Sequence, residues 1–283
     1  NGEAVCFKGI TNGIDMQRWS PHLIDFYRES GIIDKYQLPA KDYKKEIVRM
    51  DEWELRKIRD MAKEGLDQFL PSRRDQYGRP IYIPKGKGVK KAAWARRFAD
   101  YKRPGLLFLD PERLASILER GNIHLILAGK THPGDELMKN EMQRILTLTR
   151  DNPVLSHMVH FLVNYNESAG QHLTAGSDIW INTPRVGDEA CGTSSMKGIG
   201  SGTMVISTED GGIADVRGGL RLMIEGTTEE AEAESLYQRL EEAGKIIDQG
   251  RQITVAKEQL HNYLPTIAGG RMIADYLNYQ FPL

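Results

Sequence analysis

The sequence predicts an α/β fold, a Rossmann-like parallel sheet with helices on both faces. Three observations predict it. From Val89 to Thr208, short apolar runs alternate with stretches of helical period about 10–15 residues long, the pattern of βαβ units. One run, Ile123 to Gly129, is almost continuously apolar and ends in glycine, as a strand buried on both faces of a parallel sheet reads. Beyond Thr227 the periodicity is helical throughout.

The elements follow in order. Leu55, Ile58, Met61, Ala62 and Leu66 recur at helical spacing after Asp51, and the pattern stops before Pro71. Residues 72–90 are rich in Arg, Lys, Gly and Pro and read as a loop holding a short β-like stretch, Pro80 to Pro84. Val89 to Phe98 reads as a strand, Leu106 to Leu118 as a helix, and Ile123 to Ala128 as a strand. Glu136 to Thr149 is helical in period. His157 to Val163, Asp178 to Asn182 and Thr203 to Thr208 read as further strands. Thr227-Thr228-Glu229-Glu230 has the form of a capped helix start, followed by an apolar face of Leu236, Leu240, Ala243 and Ile247, and more helix runs to Pro282. The organisation expected is a mostly helical entry segment over 1–85, a Rossmann-like core over 86–225 and C-terminal helices over 226–283.

Composition excludes several classes. The 283 residues carry 38 Lys+Arg against 39 Asp+Glu, a net charge of -1, so nucleic acid is not the expected partner. No apolar run approaches the ~20 residues of a membrane span. Cys6 and Cys191 give neither a disulfide framework nor zinc spacing, which fits a reducing cytoplasm, and no metal is expected. The chain starts at Asn1 without Met or a signal-peptide pattern, and is expected to be a piece of something longer.

Ligands of open α/β sheets sit at the carboxyl ends of strands, so the loops there carry the chemistry. Arg96, Arg97, Lys102 and Arg103 fall within eight residues after the first core strand. Arg offers a bidentate fork and Lys a point charge, so the run suits phosphate; a solvated basic turn is the equal alternative on local grounds. Gly129-Lys130-Thr131-His132-Pro133-Gly134 joins a strand to a helix, but it lacks the Walker A spacing and is read first as a structural turn. Tyr165, beside Asn164, could stack on a flat ring or pack against a neighbouring loop. The most specific loop is Asp188 to Gly198. A carboxylate, Glu189, precedes small residues that let backbone amides close on an anion, and then comes Lys197, placed in the first turn of a helix. A positive charge there opposes the helix dipole. A neutral, imine-forming lysine beside a cofactor phosphate removes the conflict; a solvent-facing lysine after an ordinary cap is the alternative.

Taken together, these segments resemble the α-glucan phosphorylases, the glycogen, starch and maltodextrin phosphorylase family, in order and over most of the chain. Thr11-Asn12-Gly13-Ile14 with Arg18-Trp19 is similar to that family's crossover segment, and Arg97 with Tyr101-Lys102-Arg103 to its phosphate segment. Gly129-Lys130 with Pro133-Gly134, Asn164-Tyr165, Glu189 to Lys197, and Asp210-Gly211 follow in sequence. The resemblance implies the C-terminal half of a two-domain GT-B glycosyltransferase and reversible phosphorolysis of an α-1,4-glucan or maltodextrin by orthophosphate to glucose 1-phosphate. It implies pyridoxal 5'-phosphate in imine linkage to Lys197, with the cofactor phosphate held by Arg96, Thr193 and Ser194, and Tyr165 packed nearby. Arg97 and Lys102 would bind substrate phosphate, while Glu189, Cys191 and Gly192 would meet sugar hydroxyls. Lys197, Arg97 and Lys102 are thus the expected catalytic residues. The partner most needed is the N-terminal domain, expected to be absent from this chain, so that the chain alone would be weakly active or inactive; a homo-oligomer is compatible with the reading.

The chain departs from the family pattern at Cys191, at Ser194-Ser195 and at Gly198-Ile199-Gly200, the last expected to loosen the helix after Lys197. Two other readings share the fold: a nucleotide-sugar transferase of the glycogen synthase type, and a non-catalytic pyridoxal-phosphate-binding relative. The first needs a second Glu eight residues after Glu189 to hold the ribose, where this chain has Lys197, which has only donors.

Overall fold

A computed structural model of the chain describes residues 9–280; Cys6 and the run to Pro282 lie partly or wholly outside them. Four helices come first: α1 (Met16–Trp19), α2 (Ile24–Glu29), α3 (Tyr43–Arg49) and α4 (Glu52–Phe69). The core then alternates β1 (Lys90–Ala95), α5 (Pro111–Gly121), β2 (Ile123–Ala128), α6 (Glu136–Asp151), α7 (Pro153–Met158), β3 (Val159–Leu162), α8 (Glu167–Gly176), β4 (Ile179–Asn182), α9 (Thr193–Gly200), β5 (Met204–Thr208) and β6 (Leu222–Ile224). The helices α10 (Glu229–Asp248), α11 (Gln252–Ile267) and α12 (Gly269–Gln280) close the chain.

The six strands are all parallel, in the order β3-β2-β1-β4-β5-β6. Alternate side chains of each strand enter two separate cores. Ala93, Ala95 and Ile126 pack with α4, α8, α9 and α11 on one face, while Ala92, Trp94, Leu125 and Leu127 pack with α5, α7 and α10 on the other. That double burial explains why β2 carries no polar alternation beyond His124. After β3 the chain returns to the opposite side of β1 and lays down β4. The crevice between the carboxyl ends of β1 and β4 is therefore the topological switch point, where ligands of such sheets bind.

Several boundaries differ from expectation for local reasons. Residues 153–158 are helical, and only Val159–Leu162 is strand. Pro153 occupies the first helical position, and the Asn152 side chain accepts from the amides of Val154 and Leu155, so a short capped helix outcompetes the β-like run. The stretch 106–118 is split by Asp110, which caps α5 through the Arg113 amide; before it lies a 3₁₀ turn over Pro104–Phe108. Pro80 to Pro84 forms no strand, only a single bridge from Arg74 to Pro80. Both α8 and the short β6 were without a sequence signal. Thr228 caps α10 through the Ala231 amide, as its sequence suggests. Among the described residues no helix is long and apolar enough to cross a membrane.

Candidate active site at the carboxyl edge of the sheet

The four-cation run after β1 divides. Arg96 is buried and sends one guanidinium nitrogen to the Asn182 side chain at the end of β4 and another to Glu189, 2.6 Å away. The amine of Lys102, also buried, meets the same Glu189 oxygen. Arg97 is exposed, its guanidinium 3.4 Å from the Tyr101 hydroxyl, and joins neither. Arg103 turns away altogether. It is buried against Glu232 on α10 and donates to the carbonyls of Thr183 and Pro184, so it holds the fold and offers nothing to an anion at this edge.

Glu189 is fixed from its backbone as well. Its amide donates to Asp210 at 2.8 Å, and the other Asp210 oxygen accepts from the Gly211 amide. A Cβ on Gly192 would lie 3.0 Å from the Glu189 carboxyl carbon, so the carboxylate rests directly over the start of α9. Two buried cations thus share one carboxylate, and burial pulls the Arg96 pKa down against the opposing pull of Glu189.

The Gly129 turn has a structural role. A Cβ there would fall 2.0 Å from the Arg96 carbonyl, and the amides of Arg96 and Phe98 bond the carbonyls of Ala128 and Lys130. Only glycine lets the two loops run this close, which seats Arg96. Lys130 and His132 are exposed, and His132 accepts from the Gly134 amide within its own turn.

Lys197 lies in the last turn of the eight-residue α9 and not in its first, so the helix dipole does not oppose its charge as the sequence suggested. Its amine sits 3.3 Å from the centre of the Trp19 ring. Burial lowers its pKa to about 8, against the pull of Glu167, whose carboxylate pairs with Arg18 at 2.6 Å. The same α1 segment that carries the Arg18-Trp19 resemblance therefore covers the lysine. Tyr165 completes a chain of neighbours: a Cβ on Gly170 would find the Tyr165 hydroxyl at 3.0 Å and the Trp19 ring at 3.7 Å. Burial raises the Tyr165 pKa, and nearby Arg96 lowers it.

At the other end of α9 the cap residue is Gly192, with no side-chain acceptor for the first amides. Asp51, Asp110, Asp135, Asn152, Asn166 and Thr228 each supply one to the helix they precede. Beside these open amides of Thr193 and Ser194, the Ser194 hydroxyl is buried without a partner, as are those of Ser195 and the Arg96 Nε. Uncapped amides, an orphaned hydroxyl and a deprotonatable amine on one short helix fit a group that combines a phosphate with an aldehyde. Cys191 is a half-buried free thiol whose pKa burial raises. The two α9 glycines are packing residues: a Cβ on Gly198 would lie 3.1 Å from Val205, and one on Gly200 3.1 Å from Ile14. They bring α9 onto the sheet and α1, a close approach that the expected loosening of the helix overlooked.

Sequence reasoning missed Trp19 as the neighbour of Lys197, and Asn182 and Asp210 as the residues that orient Arg96 and Glu189. An Asn at the end of an apolar strand, Ile179 to Asn182, was a signal available for the second of these. Among the described residues no cluster of His, Cys, Asp and Glu could hold a metal ion.

Comparison with known proteins gives a consistent picture. The profile of the Phosphorylase family, described as carbohydrate phosphorylase, matches residues 6–273. The chain is 28% identical over 306 residues to a glycogen phosphorylase of Aquifex aeolicus, covering 95% of this chain and 43% of that protein. A maltodextrin phosphorylase of Thermococcus litoralis is 28% identical over 300 residues, 98% of this chain and 36% of the relative. An uncharacterized protein of Methanocaldococcus jannaschii is 34% identical over 206 residues, 71% of this chain and 33% of the relative. The chain thus spans well under half the length of the curated relatives it matches.

Proposed function

The chain belongs to the carbohydrate phosphorylase family, and from that premise we propose that it is the cofactor- and phosphate-binding half of an α-glucan phosphorylase. The reaction is the reversible phosphorolysis of an α-1,4-glucan or maltodextrin by orthophosphate, giving glucose 1-phosphate. The observation that carries this reading is Lys197: an amine with its pKa brought to about 8, packed on Trp19, on the same helix as an uncapped amino end and an orphaned Ser194 hydroxyl.

In this reading Lys197 attaches pyridoxal 5'-phosphate, and Thr193, Ser194 and Arg96 hold its phosphate. Bound there, the cofactor supplies a phosphate group that exchanges a proton with the substrate phosphate. The residues of the chain do the rest. Arg96 and Lys102 lower the cost of bringing two phosphates together, because each cation favours the ionised form of a neighbouring oxyanion. Lys102 binds the substrate phosphate, and the exposed Arg97 reaches it only by moving from its place beside Tyr101. Glu189 stands in for that anion in the present arrangement. Once phosphate takes the cations, its carboxylate is free to accept from a sugar hydroxyl, beside Cys191 and the backbone of Gly192. Tyr165 and Trp19 wall the site and keep water from the Lys197 amine. The remaining wall of the glucan groove belongs to a preceding domain of a GT-B pair, so the chain alone binds the cofactor and turns over little.

The test is direct. The purified chain incubated with pyridoxal phosphate gains a visible absorbance band, and the Lys197→Ala variant does not. A chain that stays colourless and binds a nucleotide sugar overturns the reading.

A further inference from the structure

The opposite edge of the sheet holds a second concavity that phosphorolysis does not use. It is an open cavity of about 610 Å³, within the roughly 300–1,000 Å³ range of small-molecule sites. The 75–82 loop and the helix-to-strand corner of α6, α7 and β3 enclose it. His160 on β3 and His124 on β2 stand near the amino ends of their strands, 2.9 Å apart through ring nitrogens. The active-site loops leave from the carboxyl ends.

The lining specifies the ligand. Two tyrosines line it, Tyr77 and Tyr82, residues that are 53% and 68% exposed. The Arg79 guanidinium lies over the Tyr77 ring, 4.8 Å from its centre, which fixes the ring and leaves its other face open. The cations at the rim are already neutralised: Arg79 pairs with Asp75 at 2.9 Å and Arg150 with Asp151 at 2.7 Å. Burial lowers the pKa of His160 to about 3 and of His124 to about 4, so both rings are uncharged near neutrality. An anion would therefore find no unpaired charge. The lining is not apolar either. Thr149 is 4% exposed, and its hydroxyl is buried without a partner; the Gln76 amide oxygen is in the same condition. Such orphaned groups are costly until a donor or acceptor reaches them.

Open aromatic faces, unpaired uncharged polar groups and neutralised cations together fit a ligand with apolar C–H faces and many hydroxyls. We propose that this cavity binds a neutral oligosaccharide at a non-catalytic site. The carbohydrate class rests on the cavity; the choice of an α-1,4 chain rests on the phosphorylase reading above.

Calorimetric titration of the purified chain with maltoheptaose tests it, with cellohexaose, inorganic phosphate and ADP as comparison probes. Maltoheptaose is expected to bind, to keep its affinity in the Lys197→Ala variant, and to lose at least about tenfold in the Tyr77→Ala/Tyr82→Ala double variant. Both tyrosines are exposed, so an unchanged melting temperature verifies that this variant folds. Thr149→Val, a near-isostere, is expected to weaken binding by a smaller factor. Cellohexaose binding that the tyrosine pair controls, without maltoheptaose binding, supports the carbohydrate site and counts against the α-glucan reading. Three results overturn the proposal: binding of neither saccharide, saccharide binding indifferent to the tyrosine pair, or ADP or phosphate bound here more tightly than either saccharide.

Discussion

The two edges of the sheet treat charge differently. At the amino edge two buried lysines each have their own acid, Lys90 with Asp248 at 2.7 Å and Lys91 with Asp67 at 2.5 Å; buried Arg59 donates to the carbonyls of Ala175, Ser177 and Ser201, and the histidine pair is uncharged. At the carboxyl edge Arg96 and Lys102 share Glu189, and Asp210 spends its oxygens on two backbone amides. The balanced edge is complete without an ion. The other is short of negative charge where water is scarce, which is the condition for binding an anion strongly.

The largest expected effect separates the cations of a single loop. Glu232→Ala strands Arg103 in the core and is expected to cost about 3–5 kcal/mol in a denaturant titration. Arg97→Ala, at an exposed position, is expected to stay within about 0.5 kcal/mol.

Next in size is Glu189→Gln. With one carboxylate gone, Arg96 and Lys102 repel each other unscreened, and about 2 kcal/mol of stability is expected to be lost in phosphate-free buffer. Phosphate at a hundredfold excess over its Kd returns about 2.7 kcal/mol by mass action, so the variant's melting temperature should depend steeply on phosphate. A phosphate-independent variant would mean that the edge is satisfied without an anion.

The amino edge titrates on acidification. His124 and His160 have pKa values of about 4 and about 3 in the fold, against 6.5 when unfolded. Burial is the main cause; His124 and then His157 add to it at His160 while Asp75 opposes, and His157 and Lys91 add to it at His124. Between pH 6.5 and about 4 the unfolded chain takes protons that the native pair refuses, so stability falls as pH falls. His124→Gln/His160→Gln should flatten that acid limb, which a pH series of melting temperatures would show.

The smallest effect concerns Lys197. Its pKa of about 8 lies below the unfolded 10.5, so over that interval the unfolded chain binds the extra proton and stability rises with pH. Amine-reactive labelling of Lys197 should have a midpoint near pH 8, and Trp19→Ala, by admitting water, should move it upward. A midpoint that stays put would show that the ring is not what dries the amine.

What could be read in the sequence was local. The two-sided burial of β2 shows in Ile123 to Ala128, and the caps at Asp51 and Thr228 announce α4 and α10. The residue types of the Glu189 to Lys197 loop single it out as a candidate before any geometry is known. What could not be read depends on partners far away in the chain. Arg96 and Arg103 are alike in a basic run, and only Glu189 and Glu232 decide which faces the candidate site. Lys197 owes its lowered pKa to burial that includes Trp19, 178 residues earlier in the sequence. The β-like run at 157–163 starts two residues too early because Pro153 and the Asn152 cap carry a helix through Met158.

Lys197 as the proposed cofactor attachment point is tested most directly by covalent trapping. The purified chain should be incubated with substoichiometric pyridoxal phosphate, reduced with borohydride, digested and mapped by mass spectrometry. The phosphopyridoxyl mass is expected on the peptide containing Lys197 and is expected to be lost in Lys197→Ala. Label scattered over exposed lysines such as Lys130, with Lys197 unmodified, would contradict it.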